Sequence, residues 1–418
     1  MAKHAATKVP QIRFKGFERE WEKEPLLSRV TKITDFRGRT PKKLGLDWSP
    51  SGYMALSALN VKDGYIDRNA DAHYGDEELY TKWMRGSELH CNQVLFTTEA
   101  PMGNVAQIPD DQKYILSQRT IAFVTDTTRL SEDYLAILLK SPNVFGELLA
   151  RSSGGTAKGV SQKSLSSVDV CVTNELAEQS KIGSYFRRLD RLIGLHQLKH
   201  EKLVTLKKAL LKKMFPEPGA TSPVIRFKGF SGAWKVEPVS SLLSERNIQA
   251  PKSDQYPLMA FIAGQGVAPK GERYNREFLV SDEVNKKYKQ TEFGDFIYSS
   301  NNLETGSIGL NKFGRASISP VYSIFSPTQN GDSEFIGQLL CQQSFIGEMV
   351  KWRQGVVYGQ WRIHESDFLS IETTFPLVEE QKKIGAYFSA LDNLISSHAT
   401  QLLKLKQIKS ACLEKMFV

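Results

Sequence analysis

The chain has 418 residues, 40% of them hydrophobic and 24% charged, and a formal net charge of +9 at pH 7. Such a length and composition predict two or three folded domains with sizeable cores and argue against disorder. Cys91, Cys171, Cys341 and Cys412 stand without CxxC spacing, which points away from a disulfide framework or zinc site; the absence of an apolar signal core or a membrane-length apolar run predicts a soluble, cytoplasmic protein.

In chain order the first feature is a motif: Pro10 to Phe17 reads PQIRFKGF, with Trp21 four residues on. Short β-like runs then alternate with Gly, Pro and Asn turns. Val94 to Thr98, Thr120 to Val124 and Val168 to Val172 read as strands, with helical patches at Tyr134 to Leu139 and Phe145 to Leu149. This predicts a mixed α+β domain over 1–177. From Glu178 the periodicity becomes helical: Tyr185, Leu189, Leu192, His196, Leu203, Leu206 and Leu210 recur mostly at alternating steps of four and three, with no proline before Pro216. The spacing predicts a framework helix over 178–215, roughly 55 Å long at about 1.5 Å per residue, with a seam that needs a partner helix. A Pro/Gly-rich linker follows at 216–222.

The chain then repeats itself. Pro223 to Phe230 reads PVIRFKGF, followed by Trp234, and EQSKIGSYFRRLDRLI from Glu178 returns as EQKKIGAYFSALDNLI from Glu380. The offset is 213 residues at the opening motif and 202 at the helix, because the first copy carries about ten extra residues before Asn92. A second mixed domain is predicted over 223–379, with strands at Phe296 to Ser299 and Val321 to Phe325 and helical patches at Glu334 to Leu340 and Phe345 to Val350. A second framework helix follows over 380–418, with its seam at Tyr387, Leu391, Leu394, His398, Leu405 and Ile408. The two helices are expected to pair as an antiparallel coiled coil about a pseudo-two-fold axis. His196 and His398 would then approach each other near the centre as polar residues that set register.

Charge is unevenly placed: the stretches 178–215 and 380–417 carry +7 and +3, which leaves −1 for the remainder. A basic helix can attract phosphate or simply present a solvated face. No Asn/Asp-Pro-Pro-Tyr methyltransferase signature, glycine-rich cofactor fingerprint, GxSxG elbow or HExxH motif occurs. Gly154 to Gly159 lacks Walker spacing, and in Pro109-Asp110-Asp111-Gln112-Lys113 the acids are adjacent rather than drawn from separate strands to hold a metal. A large duplicated chain without visible chemistry reads as a recogniser of something with two halves.

These residues resemble the specificity subunit of a type I DNA restriction-modification enzyme. The similarity spans nearly the whole chain and rests on the two EQxKIGxYF…LDxLI helix openings, the RFKGF…W openings, and the helix ends Lys213-Met214-Phe215 and Lys415-Met416-Phe417. Gly38-Arg39-Thr40-Pro41 and the Gly154-Gly155 loop add to it. The resemblance implies two target-recognition domains that each read half of a split DNA sequence, and a helix pair that acts as a ruler for the spacer. It implies partners as well: two modification subunits that carry S-adenosylmethionine and methylate adenine, and two restriction subunits using ATP and Mg. The framework helices would be the main docking surface for the modification subunits, and no catalysis or cofactor is expected in this chain. Base reading needs polar side chains in a groove and cations on phosphates. The candidate DNA contacts are therefore Arg37, Arg39, Lys42, Lys43, Thr97, Thr98, Arg119 and Lys158 in the first domain. In the second they are Ser299, Asn301, Asn302, Arg353, Tyr358, Gln360 and Arg362. The competing readings are a coiled-coil scaffold that holds proteins rather than DNA, and an enzyme with a cryptic nuclease site.

Overall fold

A computed structural model describes residues 9–155, 158–269, 286–356 and 360–418. The chain divides into two compact units, Met1–Gln197 with Thr400–Val418, and Leu198–Ala399. The division falls inside both long helices, Leu176–Met214 and Val378–Lys415. Each unit therefore holds one globular domain, the first half of that domain's own helix and the second half of the other copy's helix.

In the first unit the central sheet is antiparallel, in the order Val30–Asp35, Thr120–Thr125, Val94–Thr97, Val105–Gln107. Alternate side chains leave a strand on opposite faces, so a strand covered on both sides reads as a continuous apolar run. Val94 and Phe96 face Phe123, Tyr134 and Phe186. Leu95 faces Ala106, Ala122, Trp83 and Ile115 in a second core. That second core sits under the helix Glu77–Met84, whose N-cap Asp76 accepts from Leu79 N at 2.8 Å, and under a small sheet in which Tyr53–Leu56 pairs with Tyr74–Gly75 and Ile115–Leu116.

The second unit has the same strand order, Leu243–Glu245, Ser323–Pro327, Phe296–Tyr298, Ile308–Leu310. It shows the same alternation, with Phe296 and Tyr298 in one core and Ile297 in the other. The helical patches form Glu132–Leu138 and Pro142–Ala150 in the first unit and Ser333–Leu340 and Gln343–Lys351 in the second.

The repeated motifs converge on one structural purpose. In the first unit Arg13 donates a fork to Glu178 (2.6 and 2.9 Å), Phe14 packs edge-on to Tyr185, and Lys181 lies over Phe17. In the second, Arg226 forks Glu380 (2.7 and 2.7 Å), Phe227 packs edge-on to Tyr387, and Lys383 lies over Phe230. Each RFKGF arm thus lies along the start of its own copy's helix. The next residue of the EQ pair ties down two loops: Gln179 accepts from Ser131 N and donates to the Arg129 and Thr173 carbonyls, while Gln381 accepts from Asp332 N and donates to those of Asn330 and Pro376. The glycine of KIG permits close approach, since a Cβ on Gly183 would lie 2.5 Å from Asp133 Cβ and one on Gly385 2.5 Å from Asp332 Oδ1. The KMF ends are exchanged between copies. Phe417 packs on Trp21 and Tyr134 in the first unit, and Phe215 on Trp234 and Phe335 in the second. The backbone bonds Ile12 N to Lys415 O (3.0 Å) and Ile225 N to Lys213 O (2.8 Å) close each arrangement.

Within each unit the helix halves run antiparallel. Contacts go from Tyr185–Cys412 to Asp190–Lys409 in the first unit and from Lys207–Asp392 to Phe215–Phe388 in the second. The seam predicted from sequence needs correction. Leu192, Leu206, Tyr387, Leu394 and Ile408 are exposed, at 36, 46, 39, 51 and 44%. The inward stripe is Ile182, Phe186, Leu189, Ile193, His196, His200, Leu203, Lys207, Leu210 and Met214, all buried or half-buried, and it recurs 202 residues later from Ile384 through His398 to Met416. Its steps alternate four and three without a break, the 3.5-residue period of a coiled-coil seam. Tyr185 flanks this stripe, its hydroxyl 3.6 Å from Cys412 Sγ.

Two ion pairs tie corresponding lysines of the stripe to the facing helix half, Lys409–Asp190 in the first unit and Lys207–Asp392 in the second, each at 2.6 Å. All four groups are partly solvated, so each pair contributes about 1 kcal/mol or less. Lys409→Met is expected to lower the urea-unfolding free energy of the chain by roughly 0.5–1 kcal/mol, and the swap Asp190→Lys with Lys409→Asp to recover most of it. A swap no better than the single variant would remove the pair from the account.

Candidate nucleic-acid interface

The repeated residues of the arms and helix starts are spent on the framework, so the candidates for half-site contact are residues that the copies do not share. In the first domain the turn after Val30–Asp35 presents Arg37, Lys42 and Lys43 to solvent. Pro41 opens the short turn Pro41–Leu44, and Gly45, at φ +73°, ends it. Arg37 lies 3.7 Å from Asp35, and Lys43 Nζ donates to Gly38 O at 2.7 Å. Arg39 is half-buried: its guanidinium lies 4.1 Å above the Phe36 ring and donates to the Trp83 carbonyl, which fixes the turn. Thr97 and Thr98 are buried, and Thr97 Oγ1 accepts from Asn104 N at 2.9 Å, so these hydroxyls shape the strand end rather than reach solvent. Arg119 is exposed, has φ +64°, and sets Nε 3.2 Å from Glu99 Oε1. Lys158 is exposed on the loop that docks through Val160 N to Thr98 O at 2.9 Å.

Arg39, Lys42 and Arg119 line one open cleft of about 420 Å³ with Trp48, His73 and Gln118. Trp48 is half-buried, and exposed His73 stacks on it with centroids 5.0 Å apart and planes 11° from parallel. Gln118 Nε2 donates to the Arg39 carbonyl at 3.2 Å. Sequence reasoning passed over Trp48, His73 and Gln118. The one local signal for them was the position of Gln118 beside Arg119.

In the second domain Ser299 is buried, while Asn301 and Asn302 are exposed. Asn301 Oδ1 accepts from Trp361 N at 2.6 Å and Ser300 Oγ from Ile363 N at 3.0 Å, so the hairpin Gln354–Val356 with Gln360–Arg362 docks where the Lys158 loop docks in the first domain. Gln360 and Arg362 are exposed on it, and Arg362 lies 3.6 Å from Glu365. Arg353 is nine-tenths buried; its Nη1 donates to Glu304 at 2.8 Å, while Nε and Nη2 have no partner among the described residues. Tyr358 lies outside the described residues.

Of the adjacent acids, Asp110 is engaged structurally. Burial raises the Asp110 carboxyl, but bonds from Gln112 N, the Tyr114 hydroxyl and Arg68 outweigh it and hold the group below the ordinary carboxylate range. Among the described residues no group of three His, Cys, Asp or Glu side chains could hold a metal ion, and no helix is long and apolar enough to cross a membrane.

The family model described as the type I restriction modification DNA specificity domain matches residues 29–205 and 266–407. A Methanocaldococcus jannaschii protein that carries the name of type I restriction enzyme MjaX specificity subunit is 23% identical over 379 residues, covering 86% of this chain and 84% of its own. The crystal structure of a type I restriction-modification system S subunit from M. genitalium superposes with a TM-score of 0.65 at 15% identity, covering 98% of this chain and 99% of that one. The HsdS subunit from Thermoanaerobacter tengcongensis gives a TM-score of 0.40 at 15% identity, covering 95% of this chain and 96% of its own.

Proposed function

Because the chain belongs to the type I restriction modification DNA specificity family, we propose that it directs a methyltransferase to a bipartite DNA target, each globular domain reading one half-site and the paired helices setting the spacer. The observation that carries this reading is the division of labour in the fold. The two units repeat the Arg–Glu clasp, the glutamine tie and the exchanged phenylalanine, whereas their surface loops carry different side chains at corresponding places. A common frame with two different readers suits a target with two different halves.

The chain itself is non-catalytic in this reading. Two modification subunits supply S-adenosylmethionine and adenine methylation, and two restriction subunits supply ATP- and Mg-dependent translocation and cleavage. The outward leucines support docking of the modification subunits on the helices. Leu192, Leu195, Leu198 and Leu206 on one helix and Leu394 and Leu403 on the other are exposed, and apolar residues left out of a seam are available to a further helix.

The test is methylome sequencing of cells that express this chain with its modification subunit. Adenine methylation at a split motif with a fixed spacer is expected. An assembled complex that leaves no such motif would favour the protein-holding scaffold.

A further inference from the structure

Three open clefts differ in what their cations are doing. The one beside Pro216–Ala220 carries Glu217, Glu348 and Glu372 and no cation. In the one beside Ile108, Arg68, Lys140 and Arg187 are each paired with a carboxylate, Asp110, Asp63 and Asp133 respectively. The cleft at Trp48 and His73 is different, because Lys42 reaches its rim with no ion-pair partner among the described residues and the exposed Arg37 and Lys43 adjoin it.

We propose that this cleft is the base-reading site of the first domain, with Gln118 and Arg119 as its specificity determinants and Lys42 as a phosphate contact. The proposal rests on the DNA-reading function above and assigns it to named side chains. Gln118 is exposed, and among the described residues its side chain makes one bond, Nε2 to Arg39 O, which leaves the amide oxygen and the second amide hydrogen free. One acceptor beside one donor matches the N6 and N7 edge of adenine in the major groove. The carbonyl that holds Gln118 is itself immobilised, because Arg39 is pinned on Phe36 and to the Trp83 carbonyl. Arg119 is held in the sparsely populated left-handed region by its carbonyl, which accepts from Thr98 N at 2.9 Å, and Glu99 Oε1 lies 3.2 Å from its Nε. The remaining guanidinium nitrogens suit the O6 and N7 acceptors of guanine. His73, flat on Trp48, adds a polar wall to the same cleft. Readers fixed by packed neighbours lose little freedom on binding, which is what discrimination between bases requires. Phosphate contacts position the duplex and base contacts specify it, and the cleft brings both together from separate segments of the chain.

The experiment uses the complex of the full chain with its modification subunit, and reads the methylome and DNA affinity against salt. Gln118→Ala and Arg119→Lys are each expected to relax one position of a single half-site by about tenfold or more, with the other half-site unchanged as an internal measure of folding. Gln118→Glu replaces the amide donor with an acceptor and is expected to shift preference at that position from adenine to cytosine, an outcome that a merely structural glutamine cannot produce. Lys42→Ala should weaken binding to all sequences alike and reduce the salt slope by about 1. The assignment is overturned if Gln118→Glu and Arg119→Lys leave both half-sites as they were, or if they weaken both equally. Failure of the underlying function looks different: the wild-type complex would then leave no split motif at all.

Discussion

Replacing Glu178 with alanine is expected to cost the first unit about 3–5 kcal/mol, the range for removing one member of a buried ion pair. The Glu178 carboxylate is completely buried and accepts three bonds, two from the Arg13 fork and one from Trp21 Nε1 at 3.3 Å. Its presence raises the Arg13 pKa above the ordinary guanidinium value, chiefly through that hydrogen bond. Without it, a guanidinium that is nine-tenths buried loses its counter-charge and the tryptophan loses its acceptor. The second unit supplies the comparison. Glu380 receives the Arg226 fork, but Trp234 Nε1 is buried with no partner among the described residues. Glu380→Ala should therefore cost less than Glu178→Ala by roughly the net worth of one hydrogen bond to a charged group, about 1.5–3 kcal/mol. Urea unfolding of the two variants beside the wild type checks both the size and the order. Equal losses below 1 kcal/mol would mean that the arms are not structural clasps.

The duplication was legible because its most repeated residues are those with the least freedom. Arg13 and Glu178 each need the other, Gln179 must satisfy three backbone groups, and Gly183 has Asp133 pressed against its Cα. Strands and helices were legible for the same local reason: the buried run at Val94 and the four-and-three steps after Glu178 are periodicities that a chain carries in itself. The seam was displaced by one position at several steps because apolar residues were favoured wherever they fell near the period. Leu192 and Leu206 are apolar yet face outward, whereas the inward places at His200, Lys207 and Lys409 hold polar side chains. What the inner stripe obeys is the 3.5-residue period itself, which stays unbroken over ten positions in each copy.

Two features had no local signature. One is the docking of the KMF ends, since an antiparallel helix pair brings each end to the other copy's domain without stating which side chains receive it. The other is the cleft at Trp48. Its walls come from segments around residues 40, 48, 58, 73 and 118, and no spacing rule links them. Arg39 shows the limit from the other side. Its charge marked it as a contact, but its surroundings make it the brace that holds a neighbour in place.

Inserting one heptad after His196 and one after His398, each continuing the inward stripe, is expected to widen the spacer of the DNA target and leave both half-sites unchanged. The stripe repeats every seven residues, so seven added residues return each helix to the same face, whereas one helical turn would not. The insertions lie at the division between the two units, so the Arg13–Glu178 and Arg226–Glu380 clasps and the Asp190–Lys409 and Lys207–Asp392 pairs stay within uninterrupted segments. Seven residues at about 1.5 Å each lengthen a helix by roughly 10 Å. At about 3.4 Å per base step, that corresponds to about three base pairs. The methylome of cells carrying the double insertion should therefore show both original half-sites with a spacer longer by about three. Insertion in one helix alone should abolish methylation, because each unit holds half of each helix and a one-sided heptad displaces one half against the other. New half-site sequences, or full methylation at the old spacing, would separate the helices from the measurement of distance and return the reading of the spacer to the globular domains.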